Sequence, residues 1–230
     1  MFVLTDGSGR SGASRLPSTT AVLKSSGCAP GTIYGRLTDL EAYAAMIEGR
    51  CDVFTALAEE LAAALLDDRI DYVAGDAPEG FNPTHDVCRL LINAAAELAR
   101  RRGGPRMPCF DFPLDGPPAD CPDDLRPRAL TLRLDDAAFD RKMQAARAYA
   151  ELTGEVDSAL RAHREEAFRV ECLRPVEYAL DLRGQVGDPP YYESYGEKQV
   201  AAGRYDRVLR FRQHLEPIAS ALRARVAAQG

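Results

Sequence analysis

The sequence predicts an α/β fold, a mostly parallel sheet with helices on both faces, followed by a C-terminal helical extension. Short apolar runs at 2–4, 72–73 and 109–112 are typical of buried strands. A helical pattern at 52–67 lies between the first and second runs, and another at 82–102 lies between the second and third. Strand, helix and strand in this order favour parallel pairing through crossover helices. A chain of 230 residues with 46% hydrophobic content can bury a sizeable core.

Composition excludes several classes of partner. The net charge is −6 and the isoelectric point is near 5.2, so no basic field is present to attract nucleic acid. No apolar stretch approaches the roughly 20 residues that a membrane span requires. The six cysteines show no CxxC spacing, which favours reduced thiols. We therefore expect a cytoplasmic protein without a nucleic-acid or membrane partner.

The first half of the chain supplies the core of the predicted sheet. The apolar run at 2–4 is followed by a Gly/Ser-rich loop and an irregular stretch to about Thr38. In the next segment Val53, Leu57 and Leu65 recur at helical spacing, and Asp52 is the predicted N-cap. These elements and the strand–helix–strand pattern to residue 112 form the predicted core.

A Pro- and Asp-rich segment at 113–127 predicts a linker or exposed loop between this core and the C-terminal part, 128–230, of a single domain. The C-terminal part begins with alternating residues typical of a strand. Further elements are predicted at 130–134 (strand), 135–152 (helix), from 155 (helix), at 170–173 (strand) and in a closing amphipathic helix that includes Phe211 and Leu222.

Gly7, Gly9 and Gly12 match the GxGxxG pattern directly after the first apolar run. A dinucleotide site needs such glycines to open straight into a helix, so that helix amides face the pyrophosphate. Pro17 interrupts the following segment, no second strand is evident, and no acidic residue lies about 20 positions further on at a strand end. The pattern therefore favours a Gly/Ser loop at the rim of the sheet, with nucleotide binding as the weaker alternative.

The stretch DAPEGFNPTHD predicts a helix start that carries His85. Asn82 suits an N-cap and Pro83 the first helical position, which places His85 on the first turn. In open α/β sheets, ligands bind where helices leave the carboxyl ends of strands. The helix N-terminus disfavours imidazolium, so we expect His85 to be neutral near pH 7.

A neutral His85 could bind a metal or donate a hydrogen bond. Asp76, Glu79 and Asp86 could supply oxygen ligands or orient the ring. The alternative is a solvated first turn with an exposed imidazole. In the C-terminal part, spacing alone does not decide whether Tyr191 and its neighbours line a pocket or an oligomer contact.

Four strings together resemble the PIG-L, or LmbE-like, family of metal-dependent sugar N-deacetylases. They are VLTDGSGRSG, DAPEGFNPTHD, RVECLRPV and YYESYGEKQVAAGRYDRVLRFRQHLEP. The resemblance spans most of the chain and is strongest in the second and last strings. It implies a Rossmann-like sheet, a zinc ion and a zinc-bound water that attacks the acetamide carbonyl of a sugar or sugar conjugate.

The resemblance also implies roles for individual residues. His85 matches a metal ligand, and Asn82 lies where the family commonly has a His that stabilises or protonates the tetrahedral intermediate. Asp6, Asp76 and Glu79 are the nearest substitutes for the residues that are missing, and Asp6 is the one assigned a catalytic role. The expected substrate-binding residues are Asp76, Glu79, Arg10 and Tyr192.

The HPDD motif, which supplies a His and an Asp ligand and the general base in that family, is absent. In the family it precedes the strand ending in TDG, so we expect the first strand and its metal loop to be missing from the chain as given. One of three expected ligands remains, and a single His cannot hold zinc tightly. The prediction is a PIG-L-like deacetylase that is incomplete or inactive as it stands. The alternative is a ligand-binding relative that kept the pocket and lost the metal, and the sequence leaves a homo-oligomer open.

Overall fold

The computed structural model describes residues 1–9 and 11–229, and within them the chain has a mixed α/β fold. Six short strands are β1 (Val3–Thr5), β2 (Tyr34–Leu37), β3 (Val73–Asp76), β4 (Cys109–Phe112), β5 (Leu130–Arg133) and β6 (Val170–Val176). Eight α-helices are α1 (Leu16–Ser25), α2 (Asp39–Ile47), α3 (Cys51–Asp67), α4 (Pro83–Arg101), α5 (Asp136–Ala148), α6 (Thr153–His163), α7 (Tyr191–Ala201) and α8 (Glu216–Ala227). The α/β class predicted from the sequence is confirmed.

The strands form two small sheets rather than one. β1 pairs in parallel with β2, with Val3 opposite Tyr34, and the second sheet contains β3 to β6. In that sheet β3 neighbours β4, and β5 pairs antiparallel with β6. The expectation that the runs at 2–4, 72–73 and 109–112 are neighbours in one sheet is therefore wrong. The strand that takes the place beside β1 contains a glycine and an arginine, so its sequence lacks an apolar strand pattern.

The segment between β1 and β2 also differs from the expectation. α1 begins at Leu16, and Pro17 lies in its first turn. Proline is favoured there because the first helical amides need no intrahelical acceptor and its fixed φ suits the helix. Pro17 therefore opens a helix and does not interrupt one, and the stretch up to Thr38 contains α1 and β2.

The chain divides into two compact units. Unit 1 comprises residues 1–40 and 112–175, and unit 2 comprises residues 41–111 and 176–230. Unit 1 buries Leu4, Leu23 and Ile33 from its N-terminal segment and Phe139 and Met143 from α5.

Unit 2 is built around three helices that pack together, α3, α4 and α8. Their apolar side chains are almost completely removed from solvent, as they are for Phe54, Leu90, Leu98, Ile218 and Leu222. Burial of this kind contributes roughly 1.5–3 kcal/mol for each large apolar side chain. The packed helices hold the start of α4 in a fixed position.

Helix α3 confirms the predicted amphipathic pattern but not its predicted cap. Leu57 and Leu65 are buried, as their spacing indicates. The helix begins at Cys51, so Asp52 lies within the first turn, where its charge favours the helix N-terminus. No helix among the described residues is long and apolar enough to cross a membrane.

Candidate functional site

The start of α4 has the local structure that its sequence predicts. Asn82 is extended, with φ −128° and ψ 119°, and its side-chain oxygen accepts a hydrogen bond from the Thr84 amide at 2.9 Å. Pro83 is the first helical residue. The His85 amide donates to the Asn82 carbonyl at 3.1 Å, which places His85 on the first turn. The cap engages the side-chain oxygen of Asn82, the residue expected to assist catalysis.

Loss of this cap should be measurable. The variant Asn82→Ala leaves the Thr84 amide without its acceptor, and we expect a loss of about 1 kcal/mol in the free energy of unfolding. Urea titration of the full chain measures it. Asn82→Asp retains a capping oxygen and should stay close to the parent stability, so equal losses in the two variants would contradict the capping role.

His85 forms a close pair with Asp76, the last residue of β3. The His85 Nδ1 and Asp76 Oδ2 atoms are 2.8 Å apart, and the two side chains are 41% and 24% exposed. A carboxylate that accepts from Nδ1 fixes the tautomer and leaves Nε2 to bind a ligand or accept a proton. The end of β3 and the start of α4 thus each supply one residue of this hydrogen-bonded pair.

The pKa of His85 is shifted in the direction opposite to our expectation. Burial lowers this pKa, but the hydrogen bond and charge of Asp76 raise it by more, and Asp86 and Glu79 add to the increase. The net pKa is above its ordinary value. The neighbouring carboxylates therefore outweigh the positive end of α4.

Asp86 is turned into the interior. It is fully buried, and its Oδ1 accepts hydrogen bonds from the amides of Glu79 at 3.1 Å and Gly80 at 3.2 Å. Its Oδ2 has no hydrogen-bond partner among the described residues. Burial raises its pKa to about 6 against the opposing effect of the two amides. Asp86 thus anchors the loop between β3 and α4 through two backbone amides.

A buried arginine, which the sequence did not single out, joins the backbones of β3 and β4. Arg89 is fully buried, and its Nε donates to the Asp76 carbonyl at 2.6 Å. Its Nη2 donates to the Phe110 carbonyl at 3.1 Å. The available signal is the spacing of Asp86, Arg89 and Asn93 along α4, because they recur at helical intervals among the apolar residues that the helix buries.

The loop before His85 is also tied to the start of α7. The Tyr192 amide donates to the Gly80 carbonyl at 3.3 Å. Gly80 has φ +66°, and a Cβ there would come within 3.1 Å of the Val186 backbone. A side chain at position 80 would therefore strain the loop and separate it from Val186.

Tyr192, expected to bind substrate, lies on the inner side of α7. Its side chain is 6% exposed, and its hydroxyl has no hydrogen-bond partner among the described residues. Burial, followed by the charge of Asp86, raises its pKa. Tyr191 and Tyr195, four residues apart on the same face of α7, are the exposed aromatic residues of this helix.

Asp6 and Arg10 belong to the glycine loop of unit 1. Arg10 lies outside the described residues. Asp6 Oδ1 accepts from the Ser8 amide at 3.0 Å. Burial acts to raise the pKa of Asp6, but the hydrogen bonds from Ser8 lower it overall.

Two of our reasons against nucleotide binding by this loop are wrong, because α1 follows the loop and β2 is a second strand. A different observation disfavours it. The Gly9 amide donates to Asp39 Oδ2 at 2.7 Å, and the Ser8 amide donates to Asp6. Carboxylates thus occupy amides that a pyrophosphate would need, and their charge would repel it.

The donor set does not fit a zinc site. Within residues 1–9 and 11–229, no group of three or more His, Cys, Asp and Glu side chains is placed to hold a metal ion. Protein zinc sites use at least three protein ligands. The pair of His85 and Asp76 falls short of that number.

Comparisons of the chain with protein-family models, with curated proteins and with solved structures found no match.

Proposed function

We propose that the β3–α4 loop of unit 2 is part of a PIG-L-like site for hydrolysis of an N-acyl group on a sugar or sugar conjugate. The observation that carries this proposal is the His85–Asp76 pair, which is 2.8 Å apart where the strand ends and the helix begins. The NPTH string resembles the second metal-binding motif of that family. Because Nδ1 of its His is paired with Asp76, Nε2 is the nitrogen that would meet a ligand. A Rossmann-like sheet remains part of the proposal.

His85 is the residue through which the chain would take part in chemistry. Asp76 orients the ring through Nδ1, so Nε2 can bind a ligand or carry a proton. Arg89 holds the backbone of Asp76, and Asp86 holds the amides of the loop. Because the described donors do not fit zinc, we derive no catalytic step through a metal, and we expect the chain alone to release little or no acetate.

A second candidate function is ligand binding without hydrolysis. The donor count favours it, since His85 and Asp76 are fewer than the three ligands that zinc needs. A relative that kept its pocket and lost its metal would bind the acylated sugar and leave it intact.

Zinc content and acetate release separate these two candidates. The full chain is measured as it stands and after fusion to an N-terminal strand and HPDD loop from a PIG-L deacetylase. We expect the fused protein to bind about one zinc per chain and to release acetate from an N-acetylglucosamine conjugate.

Histidine variants of the fused protein make the test specific. His85→Ala should abolish zinc binding and turnover, while the matched control His163→Ala, in α6 of unit 1, should retain both. Robust metal-dependent turnover by the unfused chain would show that the site residues are misassigned. A fused protein that binds the sugar without releasing acetate would favour the binding candidate.

A further inference from the structure

Four aromatic side chains of unit 2 contact one another in series, and we refer to them as the ring cluster: Phe81, Tyr191, Tyr195 and Tyr205. Phe81 and Tyr191 are stacked, with ring centroids 5.1 Å apart and planes 5° from parallel. Tyr191 and Tyr195 are 6.0 Å apart, and Tyr195 and Tyr205 meet edge to face at 6.5 Å. Phe81, Tyr191 and Tyr195 are exposed, and groups of exposed apolar side chains often form binding surfaces.

Phe81 is the terminal ring of the cluster, and it keeps an open face. Tyr191 covers one face of Phe81, yet 55% of the Phe81 surface remains exposed. The opposite face is therefore available to a ligand. Tyr191 is itself 51% exposed, so the edge of the stack is also open.

The ring cluster is attached to the loop that carries His85. Phe81 lies four residues before His85 and directly after Gly80. The hydrogen bond from the Tyr192 amide to the Gly80 carbonyl fixes the start of α7 to this loop. Asp86 holds the Gly80 amide from the other side. The Phe81 ring is thus backed and positioned next to the proposed site without a ligand, which lowers the entropy cost of binding.

Charged residues of both signs adjoin the ring cluster in the sequence. Glu79 precedes Phe81 by two residues, and Glu193 and Glu197 follow Tyr191 on α7. Arg210 is paired with both glutamates of α7, at 3.1 and 2.9 Å, and Lys198 and Arg207 add further positive charge. Carboxylates accept hydrogen bonds from hydroxyl groups.

We infer that the open face of Phe81, backed by Tyr191, is a stacking subsite for a sugar ring of the substrate. This inference rests on the proposed function and assigns a position to its sugar. The face of a pyranose presents C–H groups with partial positive charge, and the face of an aromatic ring is negative, so the two attract. The neighbouring carboxylates add acceptors for sugar hydroxyls.

The chain contains no tryptophan, so a single introduced tryptophan reports on its own surroundings. Phe81→Trp keeps an aromatic face at the subsite. Its emission should shift and saturate as the disaccharide of N-acetylglucosamine is added. Tyr72→Trp is the matched control, because Tyr72 is 62% exposed in the same unit and is not part of the ring cluster.

Titration calorimetry of alanine variants measures how much Phe81 and Tyr191 each contribute to the affinity for the disaccharide. Phe81→Ala should weaken binding of the disaccharide about tenfold, and Tyr191→Ala should also weaken it because the backing ring is lost. Tyr72→Ala should bind as the parent chain does. Circular dichroism of each variant confirms that the fold is retained.

Several results would overturn the subsite: no binding by the parent chain, less than a twofold effect of Phe81→Ala, or an equal response from the Tyr72 control. An emission change that depends on protein concentration instead of sugar would assign the surface to self-association. An emission change on addition of adenosine but not of the sugar would assign it to a nucleobase. Failure of the proposed function gives a different result, which is sugar binding that depends on Phe81 without acetate release by the fused protein. Acetate release with an unchanged KM in Phe81→Ala would overturn the subsite alone.

Discussion

Replacing Arg89 with methionine is expected to lower the free energy of unfolding by about 3–5 kcal/mol. Arg89 is fully buried and donates to the carbonyl oxygens of Asp76 and Phe110. Its charge also acts on Asp111, which is 8% exposed. Methionine fills a similar volume, but it leaves two buried carbonyls without this donor and a buried carboxylate without this cation, and each loss is costly.

Urea titration of Arg89→Met against the parent chain measures this effect. Arg101→Met is the matched control, because Arg101 is exposed at the other end of α4 and pairs with Glu97 on the surface. Exposed ion pairs contribute roughly 0–1 kcal/mol, so the control should change little. A loss below about 1 kcal/mol for Arg89→Met would show that the hydrogen bonds from Arg89 to β3 and β4 contribute little to stability.

Asp86→Asn is expected to change how stability depends on pH. Burial raises the pKa of Asp86 from 3.8 to about 6, so the native state binds more protons than the unfolded state between these values. Its contribution to the free energy of unfolding therefore falls as pH rises through that window. The rise in pKa from 3.8 to about 6 corresponds to about 3 kcal/mol, which the parent chain should lose relative to the variant between about pH 4 and pH 7.

Asparagine keeps the oxygen that accepts from the Glu79 and Gly80 amides but carries no charge. The difference in unfolding free energy between the parent and Asp86→Asn, measured by urea titration at several pH values, should move in favour of the variant as pH rises. Asp71→Asn removes an exposed carboxylate and serves as the control. A constant difference across the range would contradict a protonated, buried Asp86.

The position of His85 could be predicted because it depends on neighbouring residues. Asn82 and Pro83 favour the first turn of a helix whatever surrounds them, and His85 follows at a fixed interval. Its contact with Asp76 matches one of the two roles that the sequence left open for that carboxylate, the one in which it orients the ring. The direction of its pKa shift depends on the balance between that carboxylate and the helix end, which spacing alone does not give.

The roles of Asp86 and Arg89 depend on which face of α4 is buried. The sequence placed Asp86 near a ligand because it adjoins His85, yet successive residues on a helix point about 100° apart. Asp86 turns inward, and Arg89 follows it on the buried side of the helix. Charged residues are seldom fully buried, so composition predicts the opposite.

The fold around β1 was missed for a different reason. A proline after a glycine loop has two meanings, a break or a first helical turn, and Pro17 has the second. β2 is a short strand with the sequence YGRL, which lacks the apolar alternation by which strands are recognised. Its Gly35 adopts φ +64°. Its pairing with β1 is decided by tertiary structure.

The hydrogen bond between Tyr192 and Gly80 and the stacking of Phe81 on Tyr191 join two segments that are more than 100 residues apart in the sequence. When the ribosome has produced His85 and its helix, the partner segment at 190–192 has not yet been made. The loop can reach its final form only after most of the chain has emerged, because contacts between distant segments wait for both ends. Nascent chains that end before α7 would therefore present His85 on a loop without its aromatic support, and the sugar binding that we propose should first appear in chains long enough to include Tyr191.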